Sequence, residues 1–127
     1  PINESIYFEP YRFVTYESTK TSKASVTKVS NLAELFSIIN PNADLNPANA
    51  EVDFEFFDLL VVKSPTMASK ALKYELESLS RTNQGLKGKL VFYPDITGNS
   101  QKSETYALIR IIKTDIPVSE KFEVTVK

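Results

Sequence analysis

Residues 104–113 read Glu104-Thr105-Tyr106-Ala107-Leu108-Ile109-Arg110-Ile111-Ile112-Lys113. The run holds no glycine or proline and is apolar on both alternating faces. Tyr106, Leu108 and Ile112 fall on one face, and Ala107, Ile109 and Ile111 on the other. Such a strand belongs in the middle of a sheet with layers on both sides, since at an edge one face and one row of backbone groups would meet water. Arg110 shares a face with Leu108 and Ile112, so its guanidinium has to snorkel past the rim or pair with an acid.

Further runs of strand formers lie at 57–62, 70–79, 86–93 and 121–127. Turn residues separate them: Ser64-Pro65, Asn83-Gln84-Gly85, Pro94 to Gly98, and Asp115 to Pro117. Links this short join antiparallel strands, because parallel ones need crossovers of about a dozen residues. Little room is left for a nucleotide-binding fold. The stretch 67–79 fits two periods. Ala68, Leu72, Leu76 and Leu79 suit a helical face, whereas Leu72, Tyr74 and Leu76 suit strand alternation. Propensity favours helix, but the turn at Asn83 and the strand behind it supply a hairpin partner, so a strand is expected. Residues 121–127 alternate strictly, with Phe122, Val124 and Val126 against polar neighbours, and their lysines suit a protected edge.

The first half is less regular. Residues 1–10 read as a leader or linker, 11–16 and 25–30 as short strands, and 17–23 as a polar turn. A helix is marked over 31–39. Asn31 is a good N-cap, Glu34 stands three residues on, where it can reach back to the cap N–H, and Leu32, Leu35, Phe36 and Ile39 form one apolar stripe. Phe36 is its expected anchor. Asn40-Pro41 ends the helix and 41–50 reads as a loop. An Asp53-capped turn then leads into the strand at 57–62. The expected fold is α+β, a single domain over 1–127, mainly an antiparallel β-sheet with one short helix packed on a face.

Composition restricts the chemistry. At 127 residues the chain suits one domain burying roughly two-thirds of its unfolded surface. Fifteen basic and sixteen acidic residues give a net charge of −1, which argues against nucleic acid as a partner, because such binding neutralises many phosphates. No apolar run approaches the length of a transmembrane segment. The chain has no Cys, His or Trp. This excludes disulfides, thiolate or imidazole metal sites, a Ser-His-Asp triad and a base with a natural pKa near neutrality. No cofactor is expected.

The remaining candidates have simpler readings. Glu51, Asp53, Glu55 and Asp58 resemble a hard-cation group but lack the EF-hand spacing and its glycine. Turn capping and solvated faces account for them. Glu75 and Glu77 fall on one strand face, about 7 Å apart, near the separation of glycosidase carboxylates, yet adjacent outward acids are usually a wet face. Ser25 and Lys28 match S-x-x-K, but on a strand that offset sends them to opposite faces. Gly85, Gly88 and Gly98 form no phosphate-cradling spacing, and the Asn3-Glu4-Ser5 sequon is a triplet common by chance. Six Tyr and eight Phe leave aromatic contact as the remaining signal. The cluster Tyr7, Phe8, Tyr11, Phe13 and Tyr16 is explained by core packing or by a sticky surface, and Tyr93, out of phase with Leu90 and Phe92, points outward. Tyr7, Tyr11, Tyr16 and Tyr93 are the candidate partner-binding residues.

At the stretch beginning Val52-Asp53-Phe54 the chain resembles the C-terminal domain of the protease-stability-complex PrcB-like proteins. The likeness runs through Leu59-Leu60-Val61-Val62, Lys73-Tyr74-Glu75-Leu76-Glu77-Ser78-Leu79, Lys89-Leu90-Val91-Phe92-Tyr93 and Ile111-Ile112-Lys113, and covers roughly residues 31–127. Domains of that kind occur in exported bacterial proteins and lipoproteins and are taken to bind other proteins. The resemblance implies a non-catalytic extracytoplasmic interaction module, in the periplasm or on the cell surface. Its expected partner is a protein, with a glycan as the second choice, and a lipid anchor upstream of residue 1 would suit a chain that starts at Pro1 and lacks Cys. The alternative is a carboxylate-based hydrolase acting on glycans or peptides, which would need a deep pocket with convergent acids near Asp53 or Glu75.

Overall fold

The structure, a computed structural model, describes residues 3–39, 52–97 and 101–127. Its elements in chain order are β1 (Asn3–Ser5), β2 (Phe8–Glu17), β3 (Ser25–Val29), α1 (Leu32–Phe36), β4 (Phe57–Lys63), β5 (Ala71–Thr82), β6 (Gly85–Pro94), β7 (Ser103–Ile112) and β8 (Glu123–Val126). The strands make two four-stranded sheets, ordered β1-β5-β6-β8 and β2-β7-β4-β3. All pairings are antiparallel except β6 with β8. A sheet-rich architecture with one short helix among the described residues agrees with the expected fold. The division into two sheets is not part of that expectation, and it follows from where the apolar faces go.

Alternation along β5 and β6, with the register shift between Leu76 and Ser78 that restores the phase, puts Leu76, Leu79, Leu86, Leu90 and Phe92 on one face. That face meets Leu60, Val62, Ala107, Ile109 and Ile111 from β4 and β7, and together they form the larger core. The opposite faces of β4 and β7 carry Leu59, Val61 and Leu108, which pack with Val14, Val29, Leu35, Ile39 and Val52 in a second core. Sheet β2-β7-β4-β3 is therefore covered on both sides, by the other sheet and by α1 with the residues around Val52. β7 is flanked by β2 and β4, the central place expected for residues 104–113. Arg110 does pair with an acid: its Nη2 lies 2.7 Å from Glu9 Oε1, and its guanidinium stacks 4.2 Å above the Phe57 ring.

The β5–β6 hairpin turns through Asn83 and Gln84, with Gly85 at φ 113°. A Cβ there would strike the Pro117 carbonyl, so only glycine fits both the conformation and the close approach. At Gly88 an added Cβ would lie 2.7 Å from the Ser78 carbonyl and 2.9 Å from the Phe122 ring. Glycine thus lets Phe122 settle on β6 and bring the chain in beside it. Residues 116–119 begin that approach, with Leu86 N–H donating to Pro117 O and Ser119 N–H to Leu86 O. β8 continues it in parallel, opposite Lys89–Phe92.

The first half departs from expectation in three places. Of the stretch read as a leader, Asn3–Ser5 form β1 against β5, and β2 already starts at Phe8. α1 is shorter than the predicted helix. Its cap is as predicted, with Glu34 N–H donating to Asn31 Oδ1 at 2.8 Å, but the Glu34 carboxylate takes the Asn31 side-chain amide, at 2.9 Å. The anchor is Leu35, 1 % exposed, and not Phe36, which packs at the margin of the second core. A single turn points one residue straight down, and here that residue is Leu35. The turn before β4 closes through the Asp53 carbonyl, which accepts from Phe56 and Phe57 N–H while Asp53 sits at φ 60°. The loop expected over 41–50 lies outside the described residues.

Candidate functional site

Among the described residues, none packs as a layer on the outer face of sheet β1-β5-β6-β8. β5 and β6 set its register, pairing Lys73 with Tyr93, Glu75 with Val91, Ser78 with Lys89 and Ser80 with Lys87. β8 adds Glu123 beside Lys89 and Thr125 beside Val91. Tyr93 is the organising residue. The Lys73 ammonium lies 4.8 Å and the Lys127 ammonium 5.7 Å from its ring centroid, and its hydroxyl donates to Glu75 Oε2 at 3.3 Å. A ring held by two cations and a carboxylate has little rotamer freedom left to lose on binding. Val91 is buried beneath these side chains although it faces outward. Glu77 shares this outer face with Glu75, as expected, but is drawn to Lys89 at 3.7 Å, and the register shift between Leu76 and Ser78 leaves both Glu77 and Ser78 exposed on it.

The other three candidate tyrosines do not join this face. Tyr7 is exposed between β1 and β2. Tyr11 and Tyr16 lie on the helix-covered side of the other sheet, Tyr16 edge-on to Tyr106 at 5.7 Å. Of their cluster neighbours, Phe8 packs on the larger core and Phe13 sits edge-on to Tyr74 at 6.1 Å. Strand alternation therefore divides the early aromatic cluster between two faces.

The acids are engaged structurally. Asp58, buried, lies 3.2 Å from the Lys113 ammonium and 4.0 Å from that of Lys28, and accepts the Thr114 N–H at 3.1 Å. Lys28 also donates to the Thr114 carbonyl. Its side chain points to the core side of β3, away from that of Ser25, as the S-x-x-K spacing on a strand requires. Glu104 receives Ser18 Oγ at 2.7 Å, Ser22 Oγ at 3.0 Å and Lys63 Nζ at 3.1 Å. Burial pushes the Glu104 carboxyl up, but the bonds from Ser18, Lys63 and Ser22, with the Lys63 charge, outweigh it and hold the pKa below its ordinary value. Tyr74 is pushed up to about 12 by burial, against a smaller opposing bond from the Tyr11 backbone. Tyr106 is raised by burial, then by the charge of Glu104 and by Tyr16. All three shifts move away from neutrality, whereas a general acid or base needs the reverse.

Two clefts lie at one end of the sandwich. One, of about 570 Å³, is lined by Pro65, Met67, Ala68, Pro94, Ile96 and Val126 among others. Another, of about 480 Å³, shares Ser69 and Asp95 with it and is also bordered by Glu17 and Lys70. Asp95 Oδ1 is engaged in a turn, accepting from the Thr97 N–H and hydroxyl. Among the described residues no three acidic side chains gather to hold a metal ion, and no helix is long and apolar enough to cross a membrane. Glu51 of the acidic group falls outside those residues. Sequence alternation found Tyr93 but not its lysines, which come from different strands and share no local spacing. No protein-family model matches the chain, and no curated protein or solved structure was found to match it.

Proposed function

We propose that this chain is a non-catalytic interaction module of the bacterial extracytoplasmic space, holding a protein partner on the outer face of sheet β1-β5-β6-β8. The observation that carries the reading is the pre-ordered Tyr93, fixed by Lys73, Lys127 and Glu75 on an open strand surface. An amphipathic ring of this kind gives a partner apolar area and a polar edge at small entropic cost. The compartment and the protein partner rest on the resemblance of residues 31–127 to the PrcB-like C-terminal domain, and a lipid anchor upstream of residue 1 would accord with it.

A photo-crosslinking amino acid placed at Tyr93 in the source bacterium tests this. One discrete adduct with an envelope protein is expected, and none from the same probe at Tyr16. A Tyr93 probe that captures nothing would refute the reading. So would hydrolysis of peptide or glycan substrates that disappears in Glu75→Gln, which is the outcome the hydrolase alternative requires.

A further inference from the structure

We infer that β8 is a self-association edge, and that a second copy of this chain adds to it antiparallel, joining two β1-β5-β6-β8 sheets into one of eight strands. The four sheet edges among the described residues are not alike. β1 is only three residues long. β2 carries Pro10 and a register shift beside it. β3 points Lys28 to the core side, where it serves Asp58. A very short strand, a proline with a bulge and an inward charge are three known ways of blocking an edge. β8, itself only four residues long, has no proline, no register shift and no inward charge; it carries Val124 and Val126 where β1 is wholly polar, and the lysines expected to protect this edge lie outside the strand, at 121 and 127. A cleft of about 530 Å³ lined by Val26, Phe122 and Val124 separates it from β3.

The backbone phase of β8 is fixed by one bond. Lys127 N–H donates to Phe92 O, so residues 123, 125 and 127 turn their peptide groups toward β6, and Val124 and Val126 turn theirs outward. Two antiparallel copies can exchange bonds only if outward residues face each other. Centring the pair on Thr125 does this, setting Val124 opposite the second copy's Val126 and the reverse, for four N–H···O bonds. The same register brings Glu123 opposite the second copy's Lys127, twice over by the two-fold axis. On the core side it makes an unbroken valine ladder and covers Val126, which is 39 % exposed. Backbone phase and the apolar pattern admit the registers in which Val124 and Val126 face outward residues of the second copy, and the apposition of Glu123 with Lys127 selects this one among them.

The edge is short, so a weak dimer is expected, in the micromolar to millimolar range. Sedimentation over a concentration series should show monomer giving way to dimer. Amide exchange at Val124 and Val126 should slow as concentration rises. Glu123→Lys and Lys127→Glu each set like charges opposite one another and should weaken dimerisation roughly tenfold. Mixing the two variants restores opposite charges and should yield a heterodimer. Far-UV circular dichroism confirms that each variant is folded. A protein that stays monomeric at every concentration, or a dimer indifferent to both reversals, would overturn the inference.

Discussion

Replacing Tyr74 by Phe should loosen the sandwich where its two sheets come together. Tyr74 rises from β5, and its hydroxyl donates to the Leu108 carbonyl of β7 at 3.2 Å. The same oxygen is bonded by the Tyr11 backbone, at the residue where β2 bulges between Pro10 and Arg12. A bulge leaves backbone groups without their regular ladder partner, and the phenol occupies that gap. Phenylalanine keeps the ring, and with it the contacts to Phe13 and Phe92, but strands the Tyr11 N–H. Leaving a buried group unsatisfied costs about 1–3 kcal/mol. For a chain of this size that corresponds to a fall in Tm on the order of 4–12 °C. The variant also isolates a pH effect. Because the folded pKa is raised from 10 to about 12, the stabilisation is complete below pH 10 and is lost as pH climbs to 12. The difference in stability between wild type and Tyr74→Phe should therefore narrow across that window. Urea melts at pH 7 and pH 11 measure both. A cost under 0.5 kcal/mol at pH 7 would mean that the hydroxyl is not what closes the bulge.

Leu35→Ala should cost about 2–5 kcal/mol in a urea melt, more than Phe36→Ala, since Leu35 is the buried residue of α1. Glu104→Gln should flatten the acid limb of the stability curve: with the folded pKa depressed, the carboxylate stabilises above its unfolded value of 4.5, and this is lost as pH falls through the lowered one. Chemical denaturation between pH 2 and 7 reads it. Hydrogen exchange should be slowest at residues 107–111 of β7, near the global unfolding limit, and much faster in β8.

How far the sequence spoke depended on the range of each interaction. The hairpin of β5 and β6 was legible because its period of two and its Asn83-Gln84-Gly85 turn are local. The central place of β7 was legible because both of its faces are apolar. Alternation says that Leu76, Leu90 and Phe92 share a face, but not what covers that face, so two packed sheets look like one. The parallel addition of β8 was hidden for a related reason. It depends on Gly88 admitting Phe122 and on residues 116–119 running beside Leu86, contacts that no local spacing encodes. At the candidate site, the outward phase of Tyr93 was readable, whereas Lys73 and Lys127 reach it from β5 and from beyond β8.

The polar network and the candidate site lie on different layers, and this separation has a consequence. Glu9–Arg110, Lys28–Asp58–Lys113 and Lys63–Glu104 all tie down sheet β2-β7-β4-β3 or its loops. Breaking one of them by removing a single partner strands a charge where the partner was buried, which is why Asp58 in particular has to be matched. The side chains around Tyr93 carry no such burden. Lys73, Glu75 and Lys127 are exposed, and exposed pairs of this type contribute about 1 kcal/mol or less each. Substitutions on that face should therefore leave the fold intact, so a loss of the proposed binding there can be told apart from a loss of structure.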